Sequence, residues 1–461
     1  YSMEPQLSYS LIDQKTGQVK VLVGGRGQKQ DDLALNRATS VKRQPGSTFK
    51  ILSTYAPGID TGSMTLATVF DDAPYHYENG QKVTNYVPTS YKGLTTLRDA
   101  IIDSNNIVAV KAITALTPQV GFDFLQKLGF TTLVNNRVNT NGAYESDVNQ
   151  SLSLGGITDG VTNVELTAAY AAIANQGTYN KPVLYTTVKD SNGNVLLNNK
   201  TSSRKVMKKS TAWLLTNAME DVIKKGTGKE AQLDSDMATA GKTGTTSNNY
   251  DYWFCGYTPY YTASVWTGYD YNTSFDNDKD YHKVIWKKIM DRIIKETKQS
   301  VKSFPACKSI KKASICMKSG KKPLPDICAK DPQKSMVRTE YFAPGTVPKD
   351  SCDAHIAVTF CSKSHLVAQK FCPEKFRYTK VFRVRPKHST GKTEDEPYFL
   401  NIDINKNKCN IHTNEWYLKK QEKKKKKQED KLKKQQEQQN GNNTITTPDD
   451  ISNQIKKILN Q

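Results

Sequence analysis

Apolar residues in residues 1–297 follow both helical and strand-like spacings, which predicts a domain of mixed helices and strands. Residues 7–13 and 19–24 are apolar runs joined by Lys15-Thr16-Gly17, which predicts a β-hairpin. Residues 94–102, 107–116, 165–175, 211–224 and 284–294 favour helices, and residues 238–246, 253–258 and 261–268 favour strands. We therefore expect one sheet assembled from both ends of this region, with a helical block inserted between them.

The composition changes twice after residue 297. Seven of the eight cysteines fall between Cys307 and Cys409, and from Lys419 the sequence is of low complexity. The chain of 461 residues is long enough for the three regions that this predicts. They are a large domain over 1–297, a cysteine-containing extension over 298–415, and a Lys/Gln-rich tail over 416–461 that is disordered or forms a solvated helix. No internal repeat is visible in residues 1–297.

The formal net charge is +21, and lysines are dense in two stretches: Lys308 to Lys322, and Lys419 to Glu437, where ten lysines face four acids. A basic segment suggests a polyanionic partner. No aromatic residue interleaves with these lysines, so nucleic acid is not the expected partner. An anionic polymer or an anionic membrane surface is the partner that this tail would favour.

The sequence contains neither a run of 18 apolar residues nor a signal peptide, and it opens on Tyr1 rather than on methionine. We expect it to be a piece of a longer protein whose membrane anchor lies outside it.

The cysteines of the extension favour disulfides and an oxidising compartment. Zinc is the alternative, because Cys352-x-x-His355 and Cys361-x-x-x-His365 have ligand-like spacing. No CxxC pair is present and the spacings are uneven, which favours disulfides over zinc. Seven thiols are an odd number, so at least one stays unpaired within the extension. Cys255, outside it, lies in an apolar run and is predicted to be a buried core residue.

The stretch "RQPGSTFK" places Ser47 and Lys50 three positions apart. A serine hydroxyl needs an adjacent base to act as a nucleophile, and residues three apart on a helix are neighbours. The free N–H groups of a first helical turn would face the reacting centre, and their positive potential favours the neutral lysine that a base requires. The alternative is a helix start that Ser47 merely caps.

Two further motifs change the interpretation. Ser-Asn-Asn at 104–106 interrupts two helical runs, which suggests a loop in a cleft, although an ordinary turn between helices has the same pattern. Lys-Thr-Gly-Thr-Thr at 242–246 lies on a strand-like run. Gly244 there suggests close approach of a ligand backbone, while a polar edge strand is the alternative. Together, in this order, the motifs indicate a serine acyl-transfer site.

The three motifs match the Ser-x-x-Lys, Ser-x-Asn and Lys-Thr-Gly set of penicillin-binding proteins and class A β-lactamases. The surrounding stretches "RQPGSTFK", "GKTGTT" and "ELTAAYAAIANQGTYNKP" resemble the transpeptidase domain of bifunctional class A penicillin-binding proteins over residues 5–297. The run "EYFAPGTVPKDSCDAH" resembles the extension of Gram-positive members. The resemblance ends near residue 356, and the glycosyltransferase domain and membrane helix of that family have no counterpart in this sequence.

The resemblance implies an α/β (α+β) fold like that of penicillin-binding proteins and serine β-lactamases. That fold has a five-stranded antiparallel sheet flanked by helices and an all-helical subdomain, followed here by a small Cys-rich module. It also implies a D,D-transpeptidase that cross-links peptidoglycan stem peptides at the extracytoplasmic face of the bacterial membrane. Such an enzyme needs no cofactor and no active-site metal ion, and β-lactams inhibit it covalently.

The resemblance also assigns the catalytic residues. Ser47 would attack the carbonyl of the penultimate D-alanine, and Lys50 would take the hydroxyl proton. Ser104 would relay a proton to the leaving amine. Asn106 would hold Lys50 and bind the substrate amide.

The strand motif would bind the donor peptide. Lys242, Thr243 and Thr245 would hold the terminal carboxylate, a task for a cation beside hydroxyls, with Gly244 and Thr246 completing this binding strand. The backbone N–H groups of Thr245 and of the nucleophile would form the oxyanion hole.

Two other functions share these motifs. A hydrolase, either a β-lactamase or a D,D-carboxypeptidase, needs a group that activates water, and Glu145 and Glu165 are the candidate acids. Glu165 is interpreted as a structural helix residue, and Glu145 lies in a loop without a water-holding pattern. A non-catalytic penicillin sensor is the second alternative.

Overall fold

The computed structural model describes residues 4–29, 32–275, 280–387, 389, 391–441 and 449. Its contacts divide the chain into two compact units. The first unit comprises Tyr1–His355 and Arg383–Phe399, and the second comprises Ile356–Phe382 and Leu400–Gln461. The region boundaries after residues 297 and 415 stay predictions.

Five antiparallel strands form the central sheet of the first unit. Their spatial order is Ala240–Thr245, Asp251–Tyr257, Thr262–Gly268, Gln6–Ile12 and Val19–Val23. The predicted hairpin and the sheet built from both ends of the region are thereby confirmed. Because Ala240–Thr245 is an edge strand, one side of its backbone is free to pair with an extended peptide.

Helices fill the sequence between the two groups of strands. The described residues contain eight α-helices: α1 (Ala56–Thr61), α2 (Leu97–Ile102), α3 (Asn106–Leu116), α4 (Pro118–Lys127), α5 (Asn163–Ala174), α6 (Lys209–Lys225), α7 (Tyr281–Glu296) and α8 (Asn414–Gly441). The five predicted helices correspond to α2, α3, α5, α6 and α7. The apolar pattern did not predict α4, which begins directly at Pro118.

The sheet separates two apolar cores. Successive strand residues point to opposite faces, so Cys255 packs with α5 and α6 while Phe254 packs with α7. Trp286 and Met290 of α7 are fully buried against that second face. Cys255 itself is fully buried, as the sequence predicted.

Short antiparallel pairs complete the described strands. They are Val69–Asp72 with Gly93–Thr96, Tyr75–His76 with Lys82–Val83, Arg137–Val138 with Tyr144–Glu145, Thr178–Asn180 with Ser203–Lys205, Thr187–Lys189 with Val195–Asn198, Lys311–Cys316 with Val337–Phe342, and His355–Cys361 with Arg377–Arg383. The pair Lys311–Cys316 and Val337–Phe342, called here the extension hairpin, belongs to the first unit.

A buried ion pair ties the extension hairpin to α2. Arg98 of α2 donates from Nε and Nη2 to the carboxylate of Glu340 at 2.7–3.0 Å, and from Nη1 to Asp221 at 2.8 Å. Glu340 is fully buried and Arg98 is 4% exposed. The helix held in this way ends at Ile102, just before the Ser-Asn-Asn motif.

Replacing Glu340 by alanine is expected to lower the free energy of unfolding by about 3–5 kcal/mol, because it leaves a buried guanidinium short of a partner. Chemical denaturation of the variant measures this loss. The control is Glu296→Ala, which removes an exposed i,i+4 pair with Arg292 and should cost less than about 1 kcal/mol. If both variants lost the same small amount of unfolding free energy, the buried pair would not stabilise the fold as expected.

The tail is partly described. Residues 414–441 form α8, and the side chains of 417–438 are all exposed, which matches the solvated-helix form of the prediction. Residues 442–448 and 450–461 lie outside the described residues. Its contact with an anionic polymer stays a prediction.

Among the described residues, no single helix is long and apolar enough to cross a membrane. Helices α3 and α4 reach that threshold only as a pair, and they meet at 93°.

Candidate active site

The segment that carries Ser47 is helical, as predicted, but it begins irregularly. A 3-10 turn at Gly46–Thr48 leads into a π-helix at Lys50–Tyr55 and then into α1. Gly46 has a φ of +55°, and a Cβ there would lie 2.8 Å from the backbone oxygen of Thr245. Glycine is therefore required at this contact, and the start of the helical segment packs directly on the edge strand.

Lys50 is fully buried and points toward the Ser-Asn-Asn motif. Its Nζ donates to the backbone oxygen of Ser104 and to Oδ1 of Asn106, and lies 3.2 Å from Ser104 Oγ. Burial lowers the pKa of Lys50 well below its ordinary value, and the nearby charge of Lys242 lowers it further. The lowered pKa favours the neutral form of the amine, which is the form that a general base requires.

The loop at 104–106 is held in one conformation by its own side chains. Ser104 has a φ of +55°, an uncommon backbone conformation for a residue other than glycine, and such outliers cluster at functional sites. Asn105 caps α3 through its side-chain oxygen and donates from Nδ2 to buried Asp72 at 2.7 Å. Asn106 donates from Nδ2 to the backbone oxygen of Thr84 at 2.6 Å, which leaves its oxygen directed at Lys50.

Lys242 approaches the same serine from the sheet. Its Nζ lies 2.7 Å from Ser104 Oγ and 3.1 Å from the backbone oxygen of Thr243. Burial lowers the pKa of Lys242 to about 7. The Ser104 hydroxyl therefore bridges two buried amines, one from the helical segment and one from the edge strand.

The other residues of the strand motif differ in what they contact. The hydroxyls of Thr243 and Thr227 lie 2.8 Å apart, and Thr246 bonds both the carboxylate and the N–H of Asp251. A Cβ on Gly244 would lie 2.6 Å from the backbone oxygen of Pro45. Glycine is therefore needed here for the approach of the chain's own backbone, and the approach of a ligand backbone to Gly244 stays a prediction.

The comparisons with known proteins agree with this geometry. The pattern of the family "Penicillin binding protein transpeptidase domain" matches residues 8–294, and that of "Penicillin-binding protein 1A, C-terminal domain" matches residues 306–357. The chain belongs to the penicillin-binding protein transpeptidase family.

Two curated relatives are penicillin-binding proteins. Penicillin-binding protein 1A of Clostridium tetani is 36% identical over 371 residues, which cover 77% of this chain and 45% of the relative. Penicillin-binding protein 1A/1B of Bacillus subtilis is 32% identical over 356 residues, which cover 74% of this chain and 37% of the relative. The chain thus spans less than half the length of these two relatives.

Solved structures support the fold. Penicillin-binding protein 1A from Haemophilus influenzae superposes with a TM-score of 0.62 at 22% identity, covering 76% of this chain and 54% of that one. The PonA1 protein from Mycobacterium tuberculosis, solved in complex with penicillin V, has a TM-score of 0.57 at 25% identity and covers 66% and 81%. The predicted fold class is confirmed.

The two acids weighed for a hydrolase have structural partners in this transpeptidase domain. Glu165 closes a capping box with Thr162 at the start of α5, and its other oxygen accepts bonds from the N–H and hydroxyl of Thr131. Its interpretation as a structural residue is confirmed. Glu145 pairs with Arg137 at 2.6 Å, and this contact lowers the pKa of the Glu145 carboxyl.

The predicted disulfides are wrong. All eight cysteines are free thiols in the structure, and six of them form two buried groups with one histidine each. The groups are Cys316, Cys328, Cys352 and His355, and Cys361, Cys372, Cys409 and His412. Three thiols around one imidazole cannot all pair as disulfides. His365, suggested by spacing, lies outside both groups, on a turn with a φ of +58°.

Proposed function

We propose that this chain is a serine D,D-transpeptidase that cross-links peptidoglycan stem peptides through an acyl-enzyme on Ser47, and that β-lactams acylate the same serine. The observation that carries the proposal is the Ser104 hydroxyl, which contacts Lys50 Nζ at 3.2 Å and Lys242 Nζ at 2.7 Å. Through this hydroxyl the three motifs form one polar network. The network lies where the helical segment that begins at Gly46 packs on the edge strand.

Acylation begins at Ser47. Its oxygen attacks the carbonyl carbon of the penultimate D-alanine while neutral Lys50 accepts the hydroxyl proton. The bond to the terminal D-alanine then breaks, and the leaving nitrogen takes a proton from Ser104, which recovers one from the protonated Lys50. The hydrogen-bond distance of 3.2 Å between Ser104 Oγ and Lys50 Nζ supports this relay. Asn106 positions Lys50 through its side-chain oxygen, and the N–H of its amide that does not bond Thr84 donates to the substrate amide.

The edge strand binds the donor peptide. Lys242, Thr243 and Thr245 hold the terminal carboxylate, and Gly244 and Thr246 shape the strand that presents them. The N–H groups of Ser47 and Thr245 receive the oxyanion, where loss of one donor costs about 3–4 kcal/mol of barrier. The close packing of Gly46 on Thr245 supports a common position for these two groups.

The second half of the reaction uses an amine of a neighbouring stem peptide. The amine attacks the ester carbonyl and gives up one proton, and the bond to Ser47 breaks. A proton returns to the Ser47 oxygen, which regenerates the enzyme. Since the substrate is wall material, the proposed location is the extracytoplasmic face of the bacterial membrane. The proposed parent protein carries a glycosyltransferase domain and a membrane anchor outside this sequence.

The test is intact-mass analysis of the chain after treatment with benzylpenicillin. The expected result is one stable adduct per chain, with the mass of the whole drug, on the peptide that contains Ser47. Absence of an adduct, or an adduct on another peptide, would overturn the proposal. Rapid release of the drug as hydrolysed product would favour the hydrolase, whereas a stable adduct without cross-linking of lipid-linked substrate would favour the sensor.

A further inference from the structure

The two buried groups of three cysteines and one histidine are not used by the proposed reaction. The first, called the 355 site, consists of Cys316, Cys328, Cys352 and His355 in the first unit, and the second, called the 412 site, consists of Cys361, Cys372, Cys409 and His412 in the second unit. We propose that each site binds one structural zinc(II) ion through three thiolates and one imidazole nitrogen.

The dimensions of the 355 site fit a tetrahedral ion. Its four ligand atoms all lie within 4.8 Å of one another, and the sulfurs of Cys316 and Cys352 are each 3.4 Å from His355 Nδ1. With Zn–S near 2.3 Å and Zn–N near 2.0 Å, neighbouring ligands of a tetrahedral zinc are separated by about 3.5–3.8 Å. The two sulfur–nitrogen separations are close to an edge of such a tetrahedron, and the remaining pairs lie within 4.8 Å.

The 412 site has the same dimensions. The sulfurs of Cys361 and Cys409 lie 3.3 and 3.6 Å from His412 Nδ1, and all four ligand atoms again lie within 4.8 Å. His412 is fixed by stacking on Phe376 with ring centroids 5.6 Å apart. The same ring nitrogen faces the sulfurs in both sites.

The groups behind His355 direct its lone pair at the sulfurs. Its Nε2 lies 2.8 Å from the carboxylate of Asp331, which Arg383 contacts from Nε at 2.7 Å and from Nη2 at 2.8 Å. A carboxylate that accepts the Nε2 proton leaves Nδ1 unprotonated, which is the arrangement found behind metal-bound histidines. All three side chains are buried, so this orientation is built into the fold.

Backbone N–H groups also point at the sulfurs. Leu324 N–H lies 3.3 Å from Cys328 Sγ in the 355 site, and Gln369 N–H lies 3.2 Å from Cys372 Sγ in the 412 site. Such donors stabilise a thiolate more than a thiol, because they act on the negative charge. Both sites are therefore prepared for deprotonated sulfur.

The two sites are built by the same backbone pattern from different sequences. The N–H of the first cysteine bonds the carbonyl five residues on, from Cys316 to Lys321 at 2.9 Å and from Cys361 to Leu366 at 2.8 Å. The N–H of the third cysteine bonds the carbonyl of the residue that lies six positions after the first cysteine. Cys352 bonds Lys322 and Cys409 bonds Val367, each at 2.8 Å. Each site ends in Cys-x-x-His.

The ligand set favours zinc over the alternatives. A disulfide would use two thiols of each site and leave the third unpaired, whereas a tetrahedral ion binds all four groups. Thiolate and imidazole ligands exclude magnesium and calcium, which prefer oxygen, and four protein ligands leave no open position, as in structural zinc sites. Binding releases three thiol protons per site and involves no change of oxidation state. Because the ion joins segments distant in sequence, its binding energy contributes to folding.

The test is elemental analysis of the full chain, expressed in medium that contains zinc and purified without chelator. Two zinc ions per chain are expected. Cys352→Ser and Cys409→Ser should each lower the content to one, while Cys307→Ser, which alters the cysteine of the extension outside both sites, should retain two. Absence of zinc, another metal in its place, or equal loss in the Cys307 variant would overturn the proposal.

A thiol count on the unaltered chain keeps the test independent of variants that fail to fold. After denaturation with a chelator and no reductant, eight free thiols are expected, and their appearance should coincide with release of two zinc ions. Four or fewer thiols would indicate disulfides in both sites and overturn the assignment.

Discussion

Alanine at position 47 is expected to abolish covalent labelling by benzylpenicillin. The label requires an oxygen nucleophile, and removing a catalytic serine leaves binding without acylation. Ser47 lies in the first turn of a helical segment whose packing on the edge strand depends on Gly46 and Thr245, not on the hydroxyl. The variant should therefore fold, and its thermal unfolding should stay close to that of the unaltered chain. Mass spectrometry after drug treatment measures the loss.

The matched control is Ser40→Ala, which removes an exposed serine hydroxyl seven residues earlier. Labelling of this variant should equal that of the unaltered chain. A drug adduct that persists on the Ser47→Ala variant would show that another residue is the nucleophile, and the three-motif site would lose its central assignment.

Much of the first unit could be predicted because its elements carry strong local signals. The strands at 251–257 and 262–268 are buried along their whole length and read as apolar runs, and α5 begins at a capping box that its sequence displays. Helix α4 was missed although its apolar residues contribute to the core. The predicted helix ended correctly at residue 116, but Pro118 was not recognised as the first residue of a second helix, a position that proline favours.

The site residues also divide into those with a local sequence signal and those whose contacts depend on the fold. The three motifs could be found in the sequence because each places its side chains within a few residues of one another. Their junction at the Ser104 hydroxyl depends on long-range packing, and so does the support of Asn105 by Asp72, which lies 33 positions earlier. The contact of Gly244 with Pro45 was not predicted for the same reason, since Pro45 lies about 200 residues away in the sequence.

The cysteines show how far spacing alone can mislead. The second and third cysteines are 24 residues apart in the 355 site and 37 apart in the 412 site, so the repeat is hidden by loops of unequal length. His365 is closer in sequence to Cys361 than His412 is, and local spacing therefore favoured it. The fold closes the longer loop instead, and brings His412 to the sulfurs.

Lys50→Arg is expected to lower the second-order rate constant of acylation by about 10²–10⁴-fold, the usual contribution of a general base. Arginine stays protonated where the lysine amine becomes neutral, so it cannot accept the proton of Ser47. The pH profile separates this cause from a structural one. In the unaltered chain the rate should fall as pH drops through the lowered pKa of Lys50, because protonation removes the base. This limb should be absent in the arginine variant.

The control for burial is Lys111→Met. Lys111 is a half-buried lysine whose pKa is also lowered by burial, but its amine bonds the backbone oxygen of Asp71 at 2.6 Å and not Ser104. Its loss should leave both the acylation rate and the pH limb in place. If the Lys111 variant lost the limb while the Lys50 variant retained it, the base would lie outside the Ser104 network. A neutral amine beside Ser47 would then have no part in catalysis.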